Sequence, residues 1–276
     1  MDSSLKKRIL TAVLGVPLII LFLLSPSPVV TVVVMAASII GLYEYYGATG
    51  LNKNYALCTL GIVAAVVIPL AGFFKPHVVM SLVYVYIMAL FVLMLVQHKT
   101  LKFSDIAVLL TGLIYIPYFL SHIIYIRSLD YGAVYIWLVF IGAFMTDTFA
   151  YFVGCSIGGK KLCPSISPKK TVAGAVGGLL GCALCFIVFG IIINVFFSDM
   201  LGGQQLSLMR LFILGIISAV ISEIGDLIGS VIKRQYDIKD FGKILPGHGG
   251  ILDRCDSIIT VAPVIFLFLT EVGILG

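Results

Sequence analysis

Long apolar runs separated by short polar segments dominate this chain. They lie near residues 9–25, 28–45, 55–74, 78–96, 106–126, 131–153, 172–197, 206–232 and 257–275. Each is close to the roughly 20 apolar residues that an α-helix needs to cross a bilayer, so the pattern predicts an all-α, polytopic integral membrane protein with about nine transmembrane helices. Two connections are longer and polar, at 154–171 and 233–256.

The runs fall into two groups along the chain. We expect an N-terminal part, residues 1–130, with about five spans, and a C-terminal part, residues 131–276, with about four spans and both polar loops. The basic N-terminus before the first run is typical of a signal peptide, but no small-residue cleavage site follows it. The first run is therefore interpreted as a retained membrane helix.

Composition supports a membrane location. Of the 276 residues, 61% are hydrophobic and 11% are charged, whereas soluble domains carry about 25% charged residues. The net charge of +5 is modest and gives no reason to expect a nucleic-acid partner. The six cysteines lie in apolar runs or in segments assigned to the reducing cytoplasm, so we interpret them as packing residues.

The distribution of basic residues predicts orientation. With the N-terminus in the cytoplasm and nine spans, all but three of the 18 Lys and Arg residues fall on the cytoplasmic side; the exceptions are Lys75, Arg127 and Arg210. Basic residues concentrate in cytoplasmic loops of membrane proteins. Both long polar loops are therefore expected in the cytoplasm.

Acidic residues inside apolar runs are the first chemical signal. Asp147, Glu223 and Asp226 lie within predicted spans, where an acid costs about 2.5–3.5 kcal/mol on insertion scales. Asp253 and Asp256 flank the start of the last span. All five are expected near the cytoplasmic boundary, which suggests a cavity or a bound ligand there.

Helical spacing brings three of these acids towards one point. Asp226 shares a helix face with Ser230 and Lys233, at i, i+4 and i+7. Asp253 and Asp256, at i and i+3, share a face if the helix has begun by Asp253. Carboxylates suit Mg²⁺, which usually takes one or two of them together with substrate phosphates.

A purely structural interpretation remains open beside the metal site. The same acids could form buried ion pairs, Asp226 with Lys233 and Asp253 with Arg254. This alternative does not explain why serine, histidine and a glycine-rich turn join the cluster.

Basic side chains and a glycine-rich turn complement the acids. Cations that suit phosphate binding are Lys233, Arg234, Lys239, Lys243 and Arg254. In the turn at 246–250, glycines allow backbone N–H groups to converge on an anion, and His248 is interpreted as a substrate contact. The other polar loop contains Gly154-x-x-x-x-Gly159-Lys160, which lacks the Ser or Thr and the preceding strand of a phosphate-binding P-loop.

These residues also carry a family resemblance. The run that carries it reads Ser230-Val-Ile-Lys233-Arg234-x-x-x-x-Lys239-Asp240-x-Gly242-x-x-Leu245-Pro246-x-His248-Gly249-Gly250-Ile-x-Asp253-Arg254-Cys255-Asp256. It resembles the signature of phosphatidate cytidylyltransferases, also called CDP-diacylglycerol synthases. Two upstream motifs fit as well, Asp147-Thr148-x-Ala150-Tyr151-x-x-Gly154 and Ser167-Pro168-Lys169-Lys170-Thr171. The chain departs from the family pattern at Ala173, where Glu is usual, and at Cys255, where an aliphatic residue is usual.

The resemblance implies a reaction and a set of roles. CTP and phosphatidate would give CDP-diacylglycerol and pyrophosphate, in a homodimer of the bacterial inner membrane with the site facing the cytoplasm. Mg²⁺ would bind Asp226, Asp253 and Asp256, a second metal ion being left open, and Lys233 and Arg254 would join these acids in catalysis. The remaining substrate-binding candidates are Ser230, Arg234, Lys239, Asp240, His248, Gly249, Gly250, Asp147, Ser167, Lys169, Lys170 and Thr171.

Two other classes compete with this hypothesis. A CDP-alcohol phosphotransferase also uses Mg²⁺ and carboxylates, but its Asp-Gly-x-x-Ala-Arg motif is missing because Asp226 is followed by Leu-Ile-Gly. An ion-coupled transporter would suit intramembrane acids, but transporters often show inverted repeats, and we find no convincing internal repeat here.

Overall fold

The computed structural model of the protein describes residues 15–71, 76–244 and 249–276. Helices make up nearly all of this part. They are α1 (Gly15–Leu24), α2 (Ser27–Thr49), α3 (Tyr55–Ala71), α4 (Pro76–Val96), α5 (Phe103–Leu113), α6 (Phe119–Arg127), α7 (Gly132–Ile157), α8 (Val172–Phe196), α9 (Leu208–Gln235) and α10 (Leu252–Glu271). A π-helical turn, Ile114–Tyr118, joins α5 to α6, and short 3₁₀ turns occupy Leu51–Lys53 and Ser198–Leu201.

The helices confirm the predicted all-α polytopic fold. Within the described residues, every predicted apolar run contains a helix, and α5 and α6 together fill one run. In the part of the chain that the structure describes, five helical segments are long and apolar enough to cross a membrane: Ser27–Thr49, Phe103–Arg127, Gly132–Ile157, Val172–Phe196 and Leu208–Gln235. Shorter apolar helices are Gly15–Leu24, Tyr55–Ala71 and Met80–Val96.

Helix ends differ from the predicted spans in a consistent way. α7 continues to Ile157 and α9 to Gln235, so both polar loops are shorter than predicted. The first loop contains an antiparallel hairpin of β1 (Lys161–Cys163) and β2 (Ser167–Thr171), in which Lys161 pairs with Thr171. The polar ends of these helices extend beyond the apolar run because the backbone keeps its helical hydrogen bonds where water replaces lipid.

The chain divides into two compact units. The first comprises the described residues of Met1–Tyr125 and Tyr236–Arg254. Its core contains fully buried Leu42, Leu57 and Ile116. Pro117 lies inside the π-helical turn, and such wide turns accommodate a residue that lacks a backbone N–H.

The second unit comprises Ile126–Gln235 and Cys255–Gly276. It is built on close packing of α7, α8 and α9. A Cβ added at Gly177 would lie 2.5 Å from the Cβ of Val153, and one at Gly174 would lie 2.6 Å from the carbonyl oxygen of Ala150. The glycine spacing in α8 therefore serves close helix packing within the chain, as small residues do in membrane proteins.

Candidate active site

In the second unit, α9 packs closely against α10 at Gly225. A Cβ at this position would collide with the hydroxyl of Thr260 and lie 2.9 Å from the carbonyl oxygen of Asp256. The Thr260 hydroxyl also donates to the carbonyl oxygen of Ile221 at 3.2 Å. A glycine at 225 thus lets α9 present the next residue, Asp226, beside the first turns of α10.

The carboxylate of Asp226 forms an ion pair with the hairpin. Its Oδ2 lies 2.8 Å from Nζ of Lys170, and both side chains are partly exposed. The alternative drawn from sequence had paired Asp226 with Lys233. The observed ion pair brings in Lys170 of β2, so the Ser167–Thr171 motif and α9 contribute to one polar cluster.

Asp256 is a second carboxylate in this cluster. Burial, followed by the nearby carboxylate of Asp226, raises the pKa of Asp256 to about 7, although the Ser257 N–H and Lys233 oppose the shift. Asp147 adds to the repulsion. Asp256 precedes the apolar run 257–275, and its Oδ1 accepts a hydrogen bond from the Ser257 N–H at 2.9 Å. The carboxyl groups of Asp226, Asp256 and Asp147 therefore interact here, with Lys233 and Lys170 as nearby cations.

Glu223 lies one turn before Asp226 on α9. It is buried and interacts electrostatically with Lys170 and Asp226. Its Oε1 makes no hydrogen bond with any group in the part of the chain that the structure describes. A buried unsatisfied carboxylate oxygen is costly, so this acid belongs to the polar cluster and not to an apolar packing surface.

The hairpin motif divides between structural and exposed roles. Thr171 is the N-cap of α8, where its Oγ1 accepts a hydrogen bond from the Gly174 N–H at 3.1 Å. Such caps satisfy amide groups that have no partner within the helix. Lys169 is exposed and Ser167 is half-buried, so their substrate-binding roles stay predictions.

In the first unit, Asp253 binds backbone amides. Its Oδ2 accepts hydrogen bonds from the N–H groups of Phe241, at 2.8 Å, and Gly250, at 3.0 Å. The sequence had suggested that amides near these glycines converge on an anion. Here the amide of Gly250 points to a carboxylate of the chain itself.

Glu44 on α2 binds the backbone just before Asp253, and sequence reasoning did not single it out. Its carboxylate on α2 accepts hydrogen bonds from the N–H groups of Ile251, at 3.1 Å, and Leu252, at 2.9 Å. A signal was present, since Glu44 is an acid within the apolar run 28–45. Nothing in the sequence linked it to a segment 207 residues away.

The other predicted residues lie on α9 and α10 or in the loop between them, except Asp147, which lies on α7. α10 begins at Leu252, so the condition for Asp253 and Asp256 to share a helix face is met. His248 lies outside the described residues. Half-buried residues are Ser230, Lys233 and Gly249, and exposed residues are Asp147, Arg234, Lys239, Asp240 and Arg254.

The carboxylates of Asp226, Asp256 and Asp253 are the donors that would have to hold Mg²⁺. Among the described residues, no group of three or more His, Cys, Asp or Glu side chains is assembled to hold a metal ion. Mg²⁺ usually needs only one or two carboxylates, with substrate phosphates and water completing its octahedral shell. Asp226 and Asp256 therefore fit such an ion, and Asp253 has one oxygen already engaged by two amides.

Comparison with known proteins identifies the family. The model of the cytidylyltransferase family matches residues 6–272. A phosphatidate cytidylyltransferase of Bacillus subtilis is 31% identical over 272 residues, covering 96% of this chain and 98% of the relative. One from Thermotoga maritima is 31% identical over 267 residues, covering 96% of both chains. One from Rickettsia felis is 40% identical over 173 residues, covering 63% of this chain and 75% of the relative.

The match extends through both units, and the polar cluster described above lies within it. The resemblance seen in the signature run is thereby confirmed. The chain belongs to the cytidylyltransferase family and is a nucleotidyltransferase with the helices of a polytopic membrane protein.

Proposed function

We propose that this protein transfers the cytidylyl group of CTP to phosphatidate, giving CDP-diacylglycerol and pyrophosphate for phospholipid biosynthesis. The observation that carries the proposal is the nearly full-length match to relatives named phosphatidate cytidylyltransferase, over 96% of this chain in two cases. A lipid substrate also suits a chain whose polar cluster lies at the ends of apolar helices.

The reaction needs no activated side-chain nucleophile. An oxygen of the phosphatidate phosphate attacks the α-phosphorus of CTP, and the bond from that phosphorus to the bridging oxygen of the β-phosphate breaks. The electron pair leaves with pyrophosphate. A phosphate monoester already carries about −1.5 to −2 charge at neutral pH. Catalysis is therefore positioning and charge stabilisation, as in other phosphoryl-transfer reactions.

Lysines and arginines of the cluster would bring the two anionic substrates together. Lys170 forms an ion pair with Asp226, and Lys233 interacts electrostatically with Asp256, so both cations lie near the acids. Arg234 and Arg254 are exposed near helix ends. Arg binds phosphate oxygens in a bidentate manner and Lys acts as a point charge, so these side chains suit the phosphates of CTP and the lipid.

Mg²⁺ is part of the proposal. Asp226 and Asp256 would hold it, and Asp253 is retained as a ligand on the family resemblance. When bound, the ion would neutralise charge on the CTP phosphates and on the departing pyrophosphate. In this scheme Asp226 also orients Lys170.

The membrane location follows the charge asymmetry. We propose that the protein lies in the bacterial inner membrane and that the polar cluster faces the cytoplasm, where CTP is present. Under the predicted topology, all but three of the 18 basic residues fall on the cytoplasmic side, as is typical of membrane proteins. Acyl chains of phosphatidate would remain in the bilayer. We also propose that the protein forms a homodimer, because the family resemblance implies one.

Pyrophosphate release tests the proposal. Purified protein in mixed micelles receives CTP, Mg²⁺ and phosphatidate, with diacylglycerol as the control lipid because it lacks the attacking phosphate. We expect pyrophosphate only when CTP and phosphatidate are both present. Substrate-dependent ion flux in vesicles without pyrophosphate would contradict the proposal and favour the transporter.

A further inference from the structure

Glu44 is a buried acid far from the signature in sequence, and the proposed reaction gives it no role. It lies on α2 with 5% of its side chain exposed. An acid in an apolar span is expensive, so it persists only where its charge is compensated. The compensation is visible: each of its two oxygens accepts one backbone N–H, from Ile251 and from Leu252.

These two amides belong to the start of α10. The first amides of an α-helix have no partner within the helix, and its N-terminus carries partial positive charge. A carboxylate from α2 supplies both acceptors and the complementary charge. Hydrogen bonds to an ionised acceptor are shorter and stronger than neutral ones, so Glu44 fixes where α10 begins.

Asp253 also binds backbone amides of this polar segment. Its Oδ2 accepts the amides of Phe241 and Gly250. Glu44 and Asp253 therefore bind four backbone amides of the polar segment before and at the start of α10: those of Phe241, Gly250, Ile251 and Leu252. The two acids are close enough to repel each other, and the two amides that each acid binds offset that repulsion.

Two signature glycines make room for Glu44. A Cβ at Gly242 or at Gly250 would collide with the Glu44 carboxylate. Neither glycine has positive φ, so a left-handed backbone is not the reason for glycine there. Close passage of the backbone over the carboxylate is the reason.

From this geometry we infer that Glu44 is a positioning residue of the cytidylyltransferase site: it fixes the backbone at Ile251 and Leu252 and the first turn of α10, which carries Asp253 and Arg254. The inference rests on the proposed function. Glu44 touches no substrate atom in this scheme. It acts by holding the backbone at the start of α10, which carries candidate site residues.

The test replaces the carboxylate with its isostere. Glu44→Gln keeps shape but offers one acceptor and one N–H₂ donor to two N–H groups, so one amide loses its partner. Tyr45→Phe is the matched control on the same helix, because it removes only a hydroxyl that donates to the Val108 carbonyl oxygen at 3.3 Å. Glu44→Asp keeps the charge and should restore part of the activity.

Two readouts separate positioning from general stability. We expect kcat of Glu44→Gln to fall on the order of 10- to 100-fold, as for small misplacements of a site, with KM for CTP changing less. Trypsin should cut faster after exposed Lys239 and Lys243, while cleavage after exposed Lys160 and Lys161 stays as in the wild type. Tyr45→Phe should match the wild type in both measurements.

The outcomes distinguish the inference from the proposed function. Wild-type protein that forms no CDP-diacylglycerol overturns the function, and the proteolysis pattern still tests the positioning of the loop. Active wild-type protein with a Glu44→Gln variant that equals it in kcat and in cleavage at Lys239 and Lys243 overturns the inference. Equal acceleration of cleavage at all four lysines also overturns it, because the role is then general stability.

Discussion

Nζ of Lys170 lies 2.8 Å from Oδ2 of Asp226, and this ion pair joins the hairpin strand β2 to helix α9. The pair connects two motifs that lie more than fifty residues apart in the chain. Because the side chains are partly exposed, the pair itself adds little stability. Its value lies in holding a cation beside the carboxylates where phosphate is proposed to bind.

Removing the lysine should impair the reaction more than the fold. We expect Lys170→Met to lower kcat/KM by roughly 100-fold, because a charge-assisted phosphate contact is worth about 1.5–3 kcal/mol. Lys161→Met on β1 is the control, since that lysine is exposed in the same hairpin. Steady-state kinetics with phosphatidate micelles provide the measurement, and equal activity of the two variants would contradict the assignment.

Neutralising Asp226 or Asp256 should abolish transfer. Asp226→Asn and Asp256→Asn keep the shape of the side chain but remove the charge that a divalent cation requires. We expect no measurable CDP-diacylglycerol from either variant and normal yield in the membrane fraction. Asp253→Asn should also abolish activity. Asp199→Asn, on the 3₁₀ turn Ser198–Leu201, should behave as the wild type.

Metal binding can be measured without the reaction. A ligand that binds only the folded state raises thermal stability by mass action. We expect Mg²⁺ to raise the Tm of EDTA-treated wild-type protein in detergent and to leave the Tm of Asp256→Asn unchanged. An equal shift in both proteins would place the ion elsewhere.

Close packing at Gly225 should be required for stability. Gly225→Ala would force a Cβ into the Thr260 side chain and the Asp256 carbonyl, and overpacking of this kind costs about 1–3 kcal/mol. We expect a lower Tm and lower activity. Gly47→Ala on α2 is the control, because its nearest neighbour would be the Asn52 side chain at 3.9 Å. A Gly225→Ala protein as stable as this control would contradict the packing account.

Membrane orientation can be tested at Cys155. This free cysteine is exposed at the end of α7, on the side predicted to be cytoplasmic. With the other five cysteines replaced by serine, an impermeant maleimide should label inside-out vesicles and not right-side-out cells. Labelling of intact cells would reverse the predicted topology.

The length of the apolar runs predicted the helices because each span must satisfy its own backbone hydrogen bonds in lipid. The same reasoning explains why Asp226 and Asp256 were expected near one point: each lies at a fixed place along a helix. Their electrostatic interaction in the second unit agrees with that expectation.

Contacts made by loops could not be predicted in this way. Lys170 pairs with Asp226 because the hairpin folds back onto α9, and helical spacing had offered only Lys233. Glu44 was missed because its partners are backbone amides of Ile251 and Leu252. Backbone partners leave no complementary side chain in the sequence to reveal the contact.

Transfer of label from CTP to lipid tests the central claim most directly. Purified wild-type protein is given CTP labelled at the α-phosphate, phosphatidate and Mg²⁺, and label is counted in the chloroform phase. The account predicts lipid label that requires phosphatidate, appears in step with pyrophosphate and is absent with Asp256→Asn. No lipid label from folded wild-type protein, or wild-type label from Asp256→Asn, would contradict it.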